Sequence, residues 1–122
     1  MSKILIIDDN SDHRVLVTRM LATRGYEVYA AEDGETGLLS ATDHRPDLIL
    51  LDMGLPDIDG QTLAGILRHM PGLEETPIIA VTAWPQETAR KMVEAYGCNA
   101  YISKPIQLAK FVDQVAALIS KS

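Results

Sequence analysis

The sequence has a single cysteine, Cys98, among its 122 residues. That excludes an internal disulfide framework and suits a reducing compartment, with Cys98 read as a small buried apolar residue. Its apolar runs extend for only a few residues, and no charged segment leads into a signal-like stretch, so nothing in it is expected to span a membrane or direct export. Basic charge is scarce and scattered: eleven Lys and Arg against seventeen Asp and Glu leave a formal net charge of −6. Direct nucleic-acid binding is therefore disfavoured. Gly/Ser linkers, low-complexity tracts and internal repeats are also missing. The chain is expected to form one domain over residues 1–122 and to be cytoplasmic.

What it does have is a regular switch between short apolar runs and helical spacing, the pattern of strands and helices alternating around a parallel sheet. "KILIID" (3–8) predicts a first strand, and Val15, Leu16, Met20 and Leu21 a helix that Gly25 stops. "YEVYAA" (26–31) alternates like a strand with one wetter face, and Asp33 is placed to cap a helix through Leu38, Leu39 and Ala41. "DLILLD" (47–52) is the most strand-like run; the loop "GLPDIDG" (54–60) and a helix with Leu63, Ile66, Leu67 and Met70 follow. "PIIAVTA" (77–83) predicts strand four, with a helix carrying Ala89, Met92, Val93 and Tyr96 that ends at Gly97. "AYIS" (100–103) is strand five, and Leu108, Phe111, Val112, Val115, Leu118 and Ile119 mark the last helix. Five strand-helix units imply an α/β, doubly wound parallel sheet, in which ligands bind beyond the carboxyl ends of the strands.

The residues at those ends are Asp8 and Asp9 after strand one, Asp52 on strand three, Thr82 on strand four and Lys104-Pro105 after strand five. Parallel strands bring them to one side of the sheet. Three carboxylates in one cleft raise one another's pKa unless a cation shares their charge. Oxygen ligands favour magnesium, and His13, His44 and His69 fall in different elements without ligand spacing, each expected on a helix surface. Magnesium keeps coordination positions for water and phosphate oxygens, so the site expects a phosphoryl group. A carboxylate can accept that group as an acyl phosphate. Asp52, ending the central apolar strand ahead of Gly54, is the candidate, with Lys104 to neutralise the transferred oxygens and the Thr82 hydroxyl to bond one of them.

The combination "IDD" (7–9), "LLDMGLPDIDG" (50–60), "VTA" (81–83) and "SKP" (103–105) resembles the bacterial response-regulator receiver domain along the whole chain. The resemblance implies a flavodoxin-like (βα)5 fold with strand order 2-1-3-4-5. It implies that Asp52 is phosphorylated by a histidine kinase or a histidine phosphotransfer protein. Asp9, Asp52 and the Gly54 carbonyl would bind Mg2+ directly, and Asp8 through water. Lys104 would pair with the phosphoryl group from beside a cis bond to Pro105, and the Ala83 N–H would bond a phosphoryl oxygen. Thr82 and Tyr101 would be the switch residues, Tyr101 moving inward as the face of helix four, strand five and helix five changes for an unidentified downstream protein. Met53, Gly54 and Trp84 stand where the family tunes phosphate lifetime or touches partners; Trp84 has packing on helix four as its alternative. Pro56, Asp57 and Gly60 are read as a turn and helix start without a catalytic role.

Rival functions fit less well. An aspartyl-nucleophile phosphohydrolase would carry a second acid two residues after the nucleophile, where this chain has Gly54. A flavodoxin-like cofactor protein would have a phosphate loop after strand one, where two aspartates stand instead. "GCNAYISKPI" (97–106) is similar to DivK-like cell-cycle receivers, and the ending "LISKS" suits a stand-alone regulator of the chemotaxis or cell-cycle type, monomeric or weakly dimeric. Met1 favours a complete protein. The alternative is a receiver excised from a hybrid kinase or a longer regulator.

Overall fold

The structure is a computed structural model that describes residues 2–120; Met1, Lys121 and Ser122, the ends of the expected 1–122 span, lie outside the described residues. Its elements run β1 (Lys3–Ile7), α1 (Ser11–Ala22), β2 (Glu27–Ala31), α2 (Gly34–His44), β3 (Leu48–Asp52), α3 (Gly60–Arg68), β4 (Ile78–Thr82), α4 (Gln86–Tyr96), β5 (Ala100–Ser103) and α5 (Leu108–Ser120). All five strands are parallel, in the order β2-β1-β3-β4-β5. This is the expected flavodoxin-like arrangement. Strand limits differ from the expected ones by a residue at several ends. Pro77 has no N–H to donate, so it falls outside β4, although its carbonyl still accepts from Ile49 N at 2.9 Å.

β3 and β4 are buried at every position, as strands covered on both faces must be. Alternate residues divide between two cores. On one face Leu5, Ile7, Ile49, Leu51 and Ala80 pack with Ala41 of α2, Leu63 and Leu67 of α3 and Met92 of α4. On the other, Ile4, Ile6, Leu48, Leu50 and Ile79 meet Val17 and Leu21 of α1 and Phe111, Val112 and Val115 of α5. Each fully buried Leu or Ile contributes roughly 1.5–3 kcal/mol of apolar transfer free energy.

The helix faces correct part of the sequence reading. In α1, Val15 and Leu16 are about half exposed and Val17 and Leu21 make the core contact. Leu39, Ile66 and Tyr96 also face outward. α2 instead turns Gly34, Gly37 and Ala41 inward. A Cβ on Gly37 would lie 2.6 Å from Ile7 Cδ1, so the missing side chain lets this helix sit close to β1. Among the described residues no helix is long and apolar enough to cross a membrane.

Candidate functional site

The carboxyl ends of β1, β3, β4 and β5 converge because the sheet is parallel and in register: Ile7 pairs with Leu51, Asp52 with Val81 and Thr82 with Ser103. The loops leaving these ends continue the ladder. Met53 N donates to Val81 O at 3.1 Å, and Lys104 N to Thr82 O at 2.9 Å. Asp8, Asp9, Asp52, Thr82 and Lys104 are thus carried to one cleft. Lys104-Pro105 is cis, as the resemblance implied.

Asp52 is 3% exposed, and two donors meet on its Oδ1: the Gly54 N–H at 3.0 Å and Lys104 Nζ at 3.0 Å. Burial pushes the Asp52 carboxyl up, but the Gly54 N–H and the Lys104 ammonium outweigh it and hold the group below the ordinary carboxylate range. Asp8 behaves oppositely. Burial, reinforced by the Asp52 charge, raises it despite the Asn10 N–H that donates to its Oδ1 at 2.9 Å. The two shifts run in opposite directions, and Asp52 is the member whose anionic form, the nucleophilic form of a carboxyl group, is favoured.

One carboxylate oxygen from each of Asp8, Asp9 and Asp52 lies within 4.8 Å of the others, with Asp9 exposed and the other two buried. This all-oxygen, strongly anionic donor set fits a hard divalent ion such as Mg2+ and not a site for zinc. The cleft also holds a buried hydroxyl: Thr82 is 2% exposed, and its Oγ1 accepts the Trp84 N–H at 3.0 Å. With an acceptor position so used, the Thr82 proton remains to be donated. Ala83 is exposed at the cleft edge.

The other expected residues sort differently. Tyr101 is half-buried against the core beside α4. Trp84 packs there as well, and Met53 is buried against Gly60, where a Cβ would meet Met53 Sδ at 2.6 Å. His13 is not a plain surface histidine: it is half-buried with Nδ1 3.4 Å from Asp8 Oδ2, and no hydrogen-bond partner is aligned with that nitrogen. Its place in the first turn of α1, where side chains lean back toward the N-terminus, was the available signal. His44 stacks on Tyr29 at 3.7 Å and His69 Nδ1 contacts Gly65 O at 2.8 Å, both away from the cleft. The residue that sequence reasoning undervalued is Asp57, whose carboxylate accepts from Gly34 N at 2.9 Å and Glu35 N at 3.1 Å.

Comparison with known proteins agrees with this geometry. The polar-differentiation response regulator DivK of Brucella anthropi is 34% identical over 116 residues, which span 95% of this chain and 94% of that protein. The high-resolution structure of the chemotaxis response regulator CheY4 of Vibrio cholerae superposes with a TM-score of 0.91 at 27% identity, covering 97% of this chain and 98% of that one. The receiver domain of the sensor histidine kinase PA1611 of Pseudomonas aeruginosa, with a magnesium ion coordinated in its active-site cleft, gives 0.87 at 31% identity and covers 98% of each chain. Residues 4–116 match the response regulator receiver domain of two-component signalling, and the chain belongs to that family.

Proposed function

We propose that this protein is a phosphoacceptor in two-component signalling and that Asp52 takes the phosphoryl group. The observation that carries the reading is the buried, anionic Asp52 with Lys104 Nζ at 3.0 Å, beside two further carboxylates. In the transfer, an Asp52 oxygen attacks phosphorus, the P–N bond of a phosphohistidine breaks as the P–O bond forms, and the imidazole leaves. Histidine kinases and histidine phosphotransfer proteins supply such donors. Receiver domains are signalling modules rather than classical enzymes, and here the chain's own chemistry is limited to this transfer and to loss of the phosphate.

Asp9, Asp52 and the Gly54 carbonyl would hold Mg2+, with Asp8 acting through bound water. When bound, the ion supplies positive charge that offsets the carboxylates and the transferred oxygens. Lys104 neutralises a phosphoryl oxygen, while the Thr82 hydroxyl and the Ala83 N–H donate to others. Drawing Thr82 inward then shifts Tyr101 and changes the surface of α4, β5 and α5. A groove of about 630 Å³ already opens on that surface, lined by Val93, Tyr101, Lys104 and Phe111 among others. A near-complete switch between two states needs about 5.5 kcal/mol of differential stabilisation. Several charge-assisted contacts made only by the phosphorylated state approach that figure.

The partners on this reading are a phosphohistidine donor and a downstream protein, in the cytoplasm, with the chain acting as a single receiver domain. A second setting, as the receiver part of a longer kinase, is supported by the likeness to the PA1611 domain. Intact-mass measurement after incubation with acetyl phosphate and Mg2+ tests the core claim. Wild type gains one phosphoryl mass, Asp52→Asn gains none, and chelation abolishes the gain. Equal labelling of Asp52→Asn would refute it.

A further inference from the structure

The seven residues between Asp52 and α3 carry Gly54, and the structure fastens them at several points. Met53 and Leu55 are buried. Asp59 caps α3, accepting from Thr62 N at 2.8 Å. Asp57 alone reaches from this loop to a different helix among the described hydrogen bonds, and it uses both oxygens to do so, Oδ1 for Gly34 N and Oδ2 for Glu35 N. Asp33, the N-cap of α2, takes the third N–H, that of Thr36, at 2.8 Å. The first three N–H groups of α2 are thus all satisfied, two of them by a carboxylate 22 and 23 residues distant. The fit is close: a Cβ on Gly34 would collide with Ile58 Cγ2, so only glycine lets the loop settle there.

We propose that Asp57 is a positioning residue for the metal and phosphoryl site. By clamping the loop to the N-terminus of α2 it fixes the height of Gly54, whose N–H donates to Asp52 and whose carbonyl would face Mg2+. The proposal rests on the reading of the cleft as a Mg2+ site. Outer groups that orient metal ligands change affinity by roughly ten- to a hundredfold when removed. Asp57 acts on Gly54 through two intervening residues, Leu55 and Pro56, so the low end, about tenfold, applies.

The experiment is calorimetric titration of the full chain with MgCl2, alongside thermal unfolding in EDTA. Asp57→Ala binds Mg2+ about tenfold more weakly than wild type. Asp57→Asn, which keeps one acceptor oxygen, falls between them. Asp33→Ala removes the other cap of the same helix without touching the loop, so it lowers the unfolding temperature but leaves Mg2+ affinity unchanged. Wild-type affinity in both Asp57 variants, or an equal loss in Asp33→Ala, overturns the inference while leaving the reading of the cleft intact. Absence of saturable Mg2+ binding by wild type, by contrast, overturns that reading and the inference with it. Should Asp57→Ala fail to fold, Asp57→Asn against Asp33→Ala decides alone.

Discussion

Lys104 Nζ lies 3.0 Å from Asp52 Oδ1, although 52 residues separate the two in sequence. The lysine is partly exposed and the aspartate buried, so the contact is stronger than a surface pair and less costly to form than a fully buried one. Lys104→Ala leaves the Gly54 N–H as the main remaining donor to Asp52. The variant is expected to fold, with a stability loss of about 1–3 kcal/mol for the lost charge-assisted bond. Its Asp52 titrates at higher pH than in wild type, which carboxyl 13C NMR reads directly, and phosphorylation no longer changes partner binding. An unshifted Asp52 would show that the pair is incidental.

The opposed shifts of Asp8 and Asp52 give the metal-free protein a composite acid response. Asp52, Asp57 and Asp59 are all held below the ordinary carboxylate value of 3.8. For Asp57 and Asp59 the main causes are the Gly34 and Thr62 N–H groups. Their contribution to stability is present above that value and is lost as pH falls through their lower folded values. Asp8 is raised by burial, so its ionised form costs stability at neutral pH, and the cost is relieved as pH falls through its raised folded value. Asp8→Asn is therefore expected to raise the unfolding temperature in EDTA at pH 7, with the advantage shrinking toward pH 4. The same variant weakens Mg2+ binding. An Asp8→Asn protein less stable than wild type in EDTA would contradict this account.

The strands and the central site residues were legible because each rests on a local, one-dimensional signal. Unbroken apolar runs mark β3 and β4, and the candidate site groups Asp52 and Thr82 sit where those runs stop. Helix faces were less legible. Val15 and Leu16 are as apolar as Val17 and Leu21, and only the angle at which α1 meets the sheet decides which pair is buried. His13 had only its place in the first turn of α1 to point it toward Asp8, and Asp57 escaped for another reason: its contact with α2 follows from no spacing rule. Asp57 did look like a turn residue, and it is one. Its second function comes from where β3 delivers that turn.

Gly65 offers a stability gain with no effect on the site. It lies inside α3, and a Cβ there would meet nothing within 4 Å. Glycine in a helix interior costs roughly 0.8–1 kcal/mol relative to alanine. Gly65→Ala is expected to stabilise the protein by about that amount in denaturant titration, with an unchanged slope and unchanged Mg2+ affinity.

Arg68, at the end of α3, ties down one end of α4. Its guanidinium donates to Gly97 O at 2.8 Å, Asn99 Oδ1 at 2.8 Å and Thr76 O at 2.7 Å. The opposite end of α4, at Pro85, has no side-chain cap. Arg68→Ala is expected to cost about 2–3 kcal/mol, given several bonds to a charged donor in a partly exposed setting. Hydrogen exchange should rise first at residues 97–99. Arg68→Lys, with one compact charge in place of the planar fork, recovers only part of the loss. Exchange that rises equally across the whole sheet would instead indicate a general destabilisation.

Thr82 stands between the cleft and the proposed switch surface, and substitution can separate the loop-ordering role of its hydroxyl from the proposed signalling one. Its Oγ1 accepts the Trp84 N–H at 3.0 Å, so in the unphosphorylated protein the hydroxyl already orders the start of the β4–α4 loop. Thr82→Val preserves the shape of the buried side chain but removes that acceptor, and is expected to cost about 1 kcal/mol for the lost bond. Thr82→Ser keeps the acceptor and gives up a methyl group. Because Asp52 and Lys104 are untouched, both variants should take up phosphate from a small donor. Only Thr82→Ser should then transmit it, seen as a phosphorylation-dependent shift of the Tyr101 ring resonances and of Trp84 fluorescence. A full response from Thr82→Val would mean that the signal leaves Asp52 by another route, and the hydroxyl would be left with its loop-ordering role alone.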